Sequence, residues 1–215
     1  MRVELVDSMG GDISVVNAAR VSFGKRKTAL DDADRKLIAY LAKHGHWSPF
    51  AHTSLSFRVS APIFVARQLA KHQVGAAWNE ESRRYIDSEI EIYTPETWRE
   101  RADDVKQGSG RALVYPGDHE QMVAARDSYR EAIEEAQVTY NHLLALGIAP
   151  EQARMVLPVA SYTNWIWTGS LLFFSRVCNL RMEDHAQLET MEVAQMIHDI
   201  CEELFPVSWR ALMAD

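Results

Sequence analysis

Between Ala66 and Asp87 the sequence ARQLAKHQVGAAWNEESRRYID sets Arg67, Gln68, Lys71, His72, Gln73, Asn79, Glu80, Ser82, Arg83 and Arg84 within eighteen positions. A guanidinium offers a planar fork of donors that matches phosphate oxygens or a pyrimidine edge, and a serine hydroxyl with backbone N–H groups completes an anion seat. Gly75-Ala76-Ala77-Trp78 lies in the middle, small residues before a break with polar groups on both sides. That pattern resembles a ligand loop more than a charged helix face, although a solvated helix end is the plain alternative. The ligand it suits is an anionic nucleotide.

A second cluster, NLRMEDHAQLE, places Arg181 before a new helix with His185 and Glu189 four apart on it. Zinc is not expected: HxxxE is not the HExxH spacing, no third ligand is evident, and Asp184 with Gln187 has the spacing of a capping box. No GxGxxG follows a strand, and neither GxxxxGK[ST] nor GxSxG occurs, so Rossmann, P-loop and α/β-hydrolase signatures are missing. Cys178 and Cys201 are too far apart for a CxxC site and too few for a secreted disulfide framework. Both read as buried, unreactive thiols.

The elements that must position these groups are legible in part. VELVD at the start reads as a short strand, and NAARVSFGKRK as a helical turn running into a basic loop. Leu30 to His46 reads as a helix, with Asp31 or Asp32 as cap, Leu37, Ile38 and Leu41 on one face, and Gly45 as the left-handed stop. In TSLSFRVSAP, Leu55, Phe57 and Val59 alternate with polar residues, the period of a half-buried strand, which Pro62 ends. Residues 63 to 73 resume helical spacing, putting Gln68 and Lys71 on one face.

Glu91 to Asp118 is polar and rich in glycine, proline and charge, a long surface loop. Residues 119 to 146 form the longest helix, with Met122, Tyr129, Ile133, Ala136, Tyr140, Leu143 and Leu144 as its apolar stripe and Gly147 closing it. Pro150 opens a short helix through Leu157, SYTNWIWTGS is β-prone, residues 170 to 180 are helical and buried, and a last helix runs from about His185 to Leu204. The expected class is α/β of the α+β type, a mixed sheet packed with long helices in one domain over residues 1–215.

With 47% hydrophobic and 25% charged residues the chain has the balance of a folded domain, and its net charge of −7 gives no global attraction to nucleic acid or an anionic membrane. An anionic ligand must therefore meet a local basic cluster. No apolar run reaches the length of a membrane span, and MRVELVDSMGG lacks the layout of a signal peptide, so a cytoplasmic location is expected.

Three blocks, HGHWSPFAH, then APIFVARQLAKHQ…NEESRRYID, then ARMVLPVASYTNWIW…NLRMEDHAQLE, resemble the flavin-dependent thymidylate synthases and occur in that family's order, over about residues 15 to 206. The family motif R-H-R, a spacer, then S, with N-E before the serine and R-Y after it, reads here as Lys71-His72-Gln73, a spacer one residue longer, Ser82, Asn79-Glu80 and Arg84-Tyr85.

The resemblance implies a homotetramer with active sites built jointly by its subunits, FAD as cofactor, deoxyuridylate (dUMP) as substrate, and methylenetetrahydrofolate and NADPH as co-substrates, with no cysteine nucleophile, no metal, no nucleic acid and no membrane. It implies dUMP contacts from Gln68, Lys71, Glu80, Ser82, Arg83, Arg84, Arg154 and Arg181. The resemblance also implies that Arg181 faces the uracil as the catalytic residue that favours the N3-deprotonated ring. It implies FAD contacts from Ser22, Ser48, Lys71, His72, Gln73, Val74, Glu80, Ser170 to Leu172 and Arg176.

Lysine and glutamine replace the two motif arginines, so a point charge and an amide stand where bidentate forks are usual, and Ala51 replaces a frequent acidic residue. The rivals are another enzyme modifying C5 of a pyrimidine nucleotide, and a noncatalytic single-strand nucleic-acid binder using Arg83, Arg84, Trp78 and the SYTNWIWTG aromatics as a stacking groove.

Overall fold

The computed structural model describes residues 1–85, 89–102, 108–113 and 118–214. Ile86 and Asp87 of the dense polar segment, and parts of the 91–118 loop, lie outside the described residues. The chain forms two compact units. Unit 1 comprises Met1–Ser60, Gln68–Asn79 and Asn164–Asp215, and unit 2 comprises Ala61–Arg67 and Glu80–Thr163. The strands are β1 (Arg2–Met9), β2 (Ser54–Pro62), β3 (Ala76–Glu80) and β4 (Tyr162–Gly169). The α-helices are α1 (Asp12–Arg20), α2 (Asp32–Lys43), α3 (Ile63–Leu69), α4 (His119–Ala145), α5 (Pro150–Ala153), α6 (Leu171–Arg181), α7 (Leu188–Leu204) and α8 (Pro206–Met213).

Most of the sheet belongs to unit 1, in the order β1-β2-β4-β3. β1 and β2 are antiparallel from Arg2↔Ser60 to Met9↔Ser54, with Val6 as an extra residue between the Leu5 and Asp7 pairings, a bulge on an edge strand. The period of two read in β2 is the observed one: Leu55, Phe57 and Val59 are fully buried while Arg58 is exposed. β4 alternates likewise and buries Trp165 and Trp167. Phe57 and Phe174 meet edge to face at 4.8 Å, and Trp167 packs at 5.4 Å against both Phe173 and Phe174. These quadrupole-matched contacts fill the space between the sheet and α6. A side chain at Gly169 would fall 2.4 Å from the Phe173 ring, so only glycine lets the strand turn into α6.

Val15, Val16, Ile38, Leu41 and Phe50 form a second core where α1 and α2 pack, and α8 joins it through Val207, Ala211 and Leu212. α8 lies beyond the last helix read from the sequence, although Pro206 at its first turn is a start signal. Asp12 ties its start down, accepting from the N–H groups of Val207 (2.9 Å) and Ser208 (2.7 Å). In unit 2, α4 presents the stripe read above, but only Tyr140 in it is fully shielded; it packs with Ile90 and Ala153. Tyr129 donates to the Tyr93 carbonyl and Trp98 meets its ring at 5.5 Å. The described ends of the 91–118 loop are held by the bridges Ile92↔Ser161 and Arg99↔Ala112. No helix among the described residues is long and apolar enough to cross a membrane.

Four expectations are corrected. α3 stops at Leu69, so Lys71 and His72 sit in the turn after the helix and Gln68 and Lys71 do not share a helical face. Ala76 to Glu80 is an edge strand rather than a loop, and Trp78 stacks on Trp165 at 4.5 Å, holding the segment on the sheet. α7 begins at Leu188 behind Gln187, with no side-chain cap, so Asp184 is not its cap and His185 precedes the helix. Glu189 is instead drawn into the interior, 4% exposed, accepting from Gln187 at 2.9 Å. Two aromatics of the stacking groove in the nucleic-acid reading, Trp165 and Trp167, are 2% and 0% exposed and offer no face to a base.

Candidate active site

In unit 1, Arg181 closes α6. Its Nε donates to His72 Nε2 at 3.0 Å and its Nη2 to the Gln68 carbonyl at 3.1 Å. A guanidinium carries five N–H groups; the other three have no acceptor among the described residues, and no carboxylate neutralises the charge. The Gln68 side chain is held in turn by Gln187, and Gln187 by Glu189. A half-buried cation is thus fixed in direction by two neutral acceptors. Burial pushes the His72 imidazole below its ordinary pKa and the Arg181 charge pushes it further, so His72 stays neutral and can accept at Nε2.

Lys71, Gln73 and Val74 are exposed in the turn between α3 and β3, Val74 at 85%, and Gly75 (φ +85°) provides the left-handed residue that the turn requires. Ser48, itself exposed, starts the 3-10 turn Ser48–His52, which buries Pro49 and Phe50. Arg176 points outward from α6, whereas Ser170 caps that helix by accepting from the Phe173 N–H at 3.2 Å, and Leu172 packs into the α1/α2 core. Lys71 and Arg176 have no ion-pair partner among the described residues.

Ser22 lies at the tip of an exposed loop after α1. Both ends of that loop are fastened to one residue that the sequence reading passed over. Asp34, fully buried, accepts from Arg20 at 2.6 Å and also from Lys27. Asn17 clamps the Lys27 backbone at 2.8 and 2.9 Å. Burial alone pushes the Asp34 carboxyl up, but hydrogen bonds from Lys27, Arg20 and the Asp31 backbone outweigh it and hold the carboxyl well below the usual carboxylate range.

In unit 2, Glu80, Glu81, Arg83 and Arg154 line a cavity of about 140 Å³ with Ile63, Leu157, Ser161, Tyr162 and Thr163. Arg154, in the 3-10 turn Arg154–Val156, spends only its Nε among the described residues, on the Glu151 carbonyl at 3.3 Å. Glu80 accepts from Thr163 Oγ1 at 2.8 Å. Ser82 and Arg84 follow in the same turn but do not line the cavity; Arg84 Nε donates to Ser82 Oγ at 3.1 Å and its guanidinium lies 5.0 Å from the Tyr85 ring. Sequence reasoning found the cations and missed Ser161, Tyr162 and Thr163, which read only as the start of the β-prone SYTNWIWTGS stretch.

Cys178 and Cys201 are free and buried as expected. Burial pushes both thiols far up, reinforced by Asp199 for Cys178 and by Cys178 for Cys201, so neither supplies a thiolate nucleophile.

Unit 1 thus carries a directed guanidinium that no carboxylate among the described residues neutralises, and unit 2 a cavity lined by two arginines and two glutamates. The comparisons name the family. The profile of the Thy1 family, described as thymidylate synthase complementing protein, matches residues 4–207. Flavin-dependent thymidylate synthases from Thermosipho africanus and Thermus thermophilus are 40% and 42% identical to it, covering 98% and 97% of this chain and 90% and 74% of theirs. The UMP/dUMP methylase PolB from Streptomyces cacaoi, crystallised with 5-Br dUMP, superposes with a TM-score of 0.86 at 36% identity, covering 99% of this chain and 94% of that one. The chain belongs to the flavin-dependent thymidylate synthase family.

Proposed function

We propose that this chain, acting as one domain over residues 1–215, converts dUMP to dTMP with methylenetetrahydrofolate as carbon donor, NADPH as reductant and FAD as cofactor. The observation that carries this reading is the Arg181 guanidinium, aimed by His72 and Gln68 with three N–H groups unspent among the described residues. Set beside a uracil ring, such a cation lowers the cost of negative charge on the pyrimidine, favours loss of the N3 proton, and makes C5 electron-rich. Because His72 and Gln68 are neutral, they hold the guanidinium without cancelling its charge.

Gln68 and Lys71 in unit 1, and Glu80, Ser82, Arg83, Arg84 and Arg154 in unit 2, are the proposed dUMP contacts, with guanidinium forks suited to the 5′-phosphate. Ser22, Ser48, Lys71, His72, Gln73, Val74, Glu80, Ser170, Leu172 and Arg176 are the proposed FAD contacts. The residues present fit a flavin dinucleotide: Lys71 and Arg176 offer exposed cations for a pyrophosphate, and Val74 offers an exposed apolar surface for a ring. When bound, FAD relays reducing equivalents from NADPH to the one-carbon unit. The buried thiols rule out nucleophilic attack by cysteine on the ring, consistent with flavin chemistry.

A homotetramer with shared sites and a cytoplasmic location complete the proposal. The edge strand β1, with Leu5, Val6 and Met9 exposed, supports association between copies. Two unbridged thiols suit a reducing compartment.

The decisive assay is release of the uracil C5 hydrogen from labelled dUMP with NADPH, FAD and methylenetetrahydrofolate present. Release that depends on all three is expected, and UMP in place of dUMP reads the sugar preference. Purified protein that shows no flavin absorbance after FAD is supplied, and no release, refutes the reading.

A further inference from the structure

Ser161 precedes β4, and its backbone is fully employed: its N–H donates to the Pro158 carbonyl at 3.0 Å and its carbonyl accepts from the Ile63 N–H at 2.9 Å. Its side chain is not. The residue is 2% exposed and Oγ has no hydrogen-bond partner. A buried hydroxyl left unmet costs about 1–3 kcal/mol. Alanine would fill almost the same space without that cost, so the oxygen calls for a partner that the protein itself does not provide.

Ser161 lines the unit 2 cavity, and of the side chains with a buried unmet polar atom (Tyr140, Ser161, Trp165, Trp167, Thr190 and Ser208) it is the one that does so among the described residues. The chemistry of the wall decides what the partner is. Arg154 has four guanidinium N–H groups without an acceptor among the described residues, and Arg83 adds a second guanidinium. On the acidic side, Glu80 already accepts a hydrogen bond from Thr163. Glu81 also lines the wall, so the two guanidiniums face two carboxylates, and it is the donors of Arg154 together with the unmet Ser161 hydroxyl that match an anionic acceptor with several oxygens.

We infer that Ser161 is a further substrate-binding residue, whose Oγ–H donates to a phosphate oxygen of the nucleoside monophosphate that Arg83 and Arg154 hold. This rests on the reading of the cavity as part of the dUMP site.

The test is Ser161→Ala, with affinities for dUMP and for deoxyuridine measured by titration and the melting temperature recorded. The expected result is a roughly tenfold weaker dUMP, about the worth of one hydrogen bond to a charged oxygen. Deoxyuridine affinity should be unchanged and the melting temperature equal or higher, because an unmet buried group has been removed. A purely structural serine would not separate the two ligands. Unchanged dUMP affinity overturns the inference and leaves a trapped water as the partner of Oγ. Equal weakening of both ligands also overturns it, since the phosphate is then not what the hydroxyl meets. Arg154→Ala separates the two levels of failure. If it too leaves dUMP affinity intact, the reading of the cavity is wrong; if it weakens dUMP while Ser161→Ala does not, only the role of Ser161 falls.

Discussion

In unit 1 the guanidinium of Arg181 is held at two points by neutral acceptors that are themselves held, through Gln68, Gln187 and Glu189. In unit 2 the guanidinium of Arg154 is exposed and touches one carbonyl three residues back in the chain. The first arrangement resists reorientation, as a group must if it is to stabilise charge that develops during a reaction. The second leaves the side chain free to close on a ligand and contributes through binding. Two arginines on the same list of candidates are therefore expected to differ in kind.

The sharpest way to break that contrast is Arg181→Ala. Turnover is expected to fall by roughly a thousandfold, about 4 kcal/mol of transition-state stabilisation, with circular dichroism and melting nearly unchanged because α6 keeps its buried face. Near-normal turnover would remove Arg181 from the chemistry. Arg154→Ala should instead raise the KM for dUMP by roughly ten- to a hundredfold with kcat largely retained, one guanidinium–phosphate contact being worth about 1.5–3 kcal/mol. A loss confined to kcat would erase the distinction.

Asp34→Asn addresses the anchoring of the Ser22 loop. Both Arg20 and Lys27 lose the charge they share, so the melting temperature should drop by several degrees and FAD should bind several-fold more weakly, while dUMP affinity in the absence of flavin holds. Because the folded pKa of Asp34 lies below its unfolded value, its contribution is fully present above pH ~4 and is lost as pH falls further. In Asp34→Asn that part of the acid destabilisation should vanish from a pH–melting series.

The smallest effect concerns His72. Its pKa lies below the ordinary 6.5, and Nε2 must be unprotonated to accept from Arg181. Acidification below pH ~6.5 favours proton uptake by the unfolded chain first, so stability declines in that range. Turnover should then fall several-fold as His72 itself protonates at still lower pH. His72→Gln, which keeps an acceptor without titrating, should flatten that acid limb in a pH–rate profile; an unaltered limb would assign it elsewhere.

Several elements were legible because their cause is local. The alternation of Leu55, Phe57 and Val59, the β-rich SYTNWIWTGS and the 3.6-residue stripe of α4 each describe one face of one element. The start of α7 was not, because Asp184 and Gln187 carry cap spacing yet Glu189 is drawn inward to Gln187. β3 was not, because AAWNE has no clear period and is a strand only by virtue of Trp165 beneath Trp78. Asp34 looked like one acid among three at a helix start, and its ion pairs reach back seven and fourteen residues.

The order and types of the three motif blocks and the cations they bring to an acidic chain were determined by the sequence alone, since residue identity does not depend on folding. Which arginine is braced and which is free, which aspartate anchors the Ser22 loop and which hydroxyl is left unmet beside a cavity were decided only in the tertiary structure. Those properties depend on burial and on partners up to 119 residues away in the chain, and no local pattern encodes which groups the fold will bring within hydrogen-bonding distance.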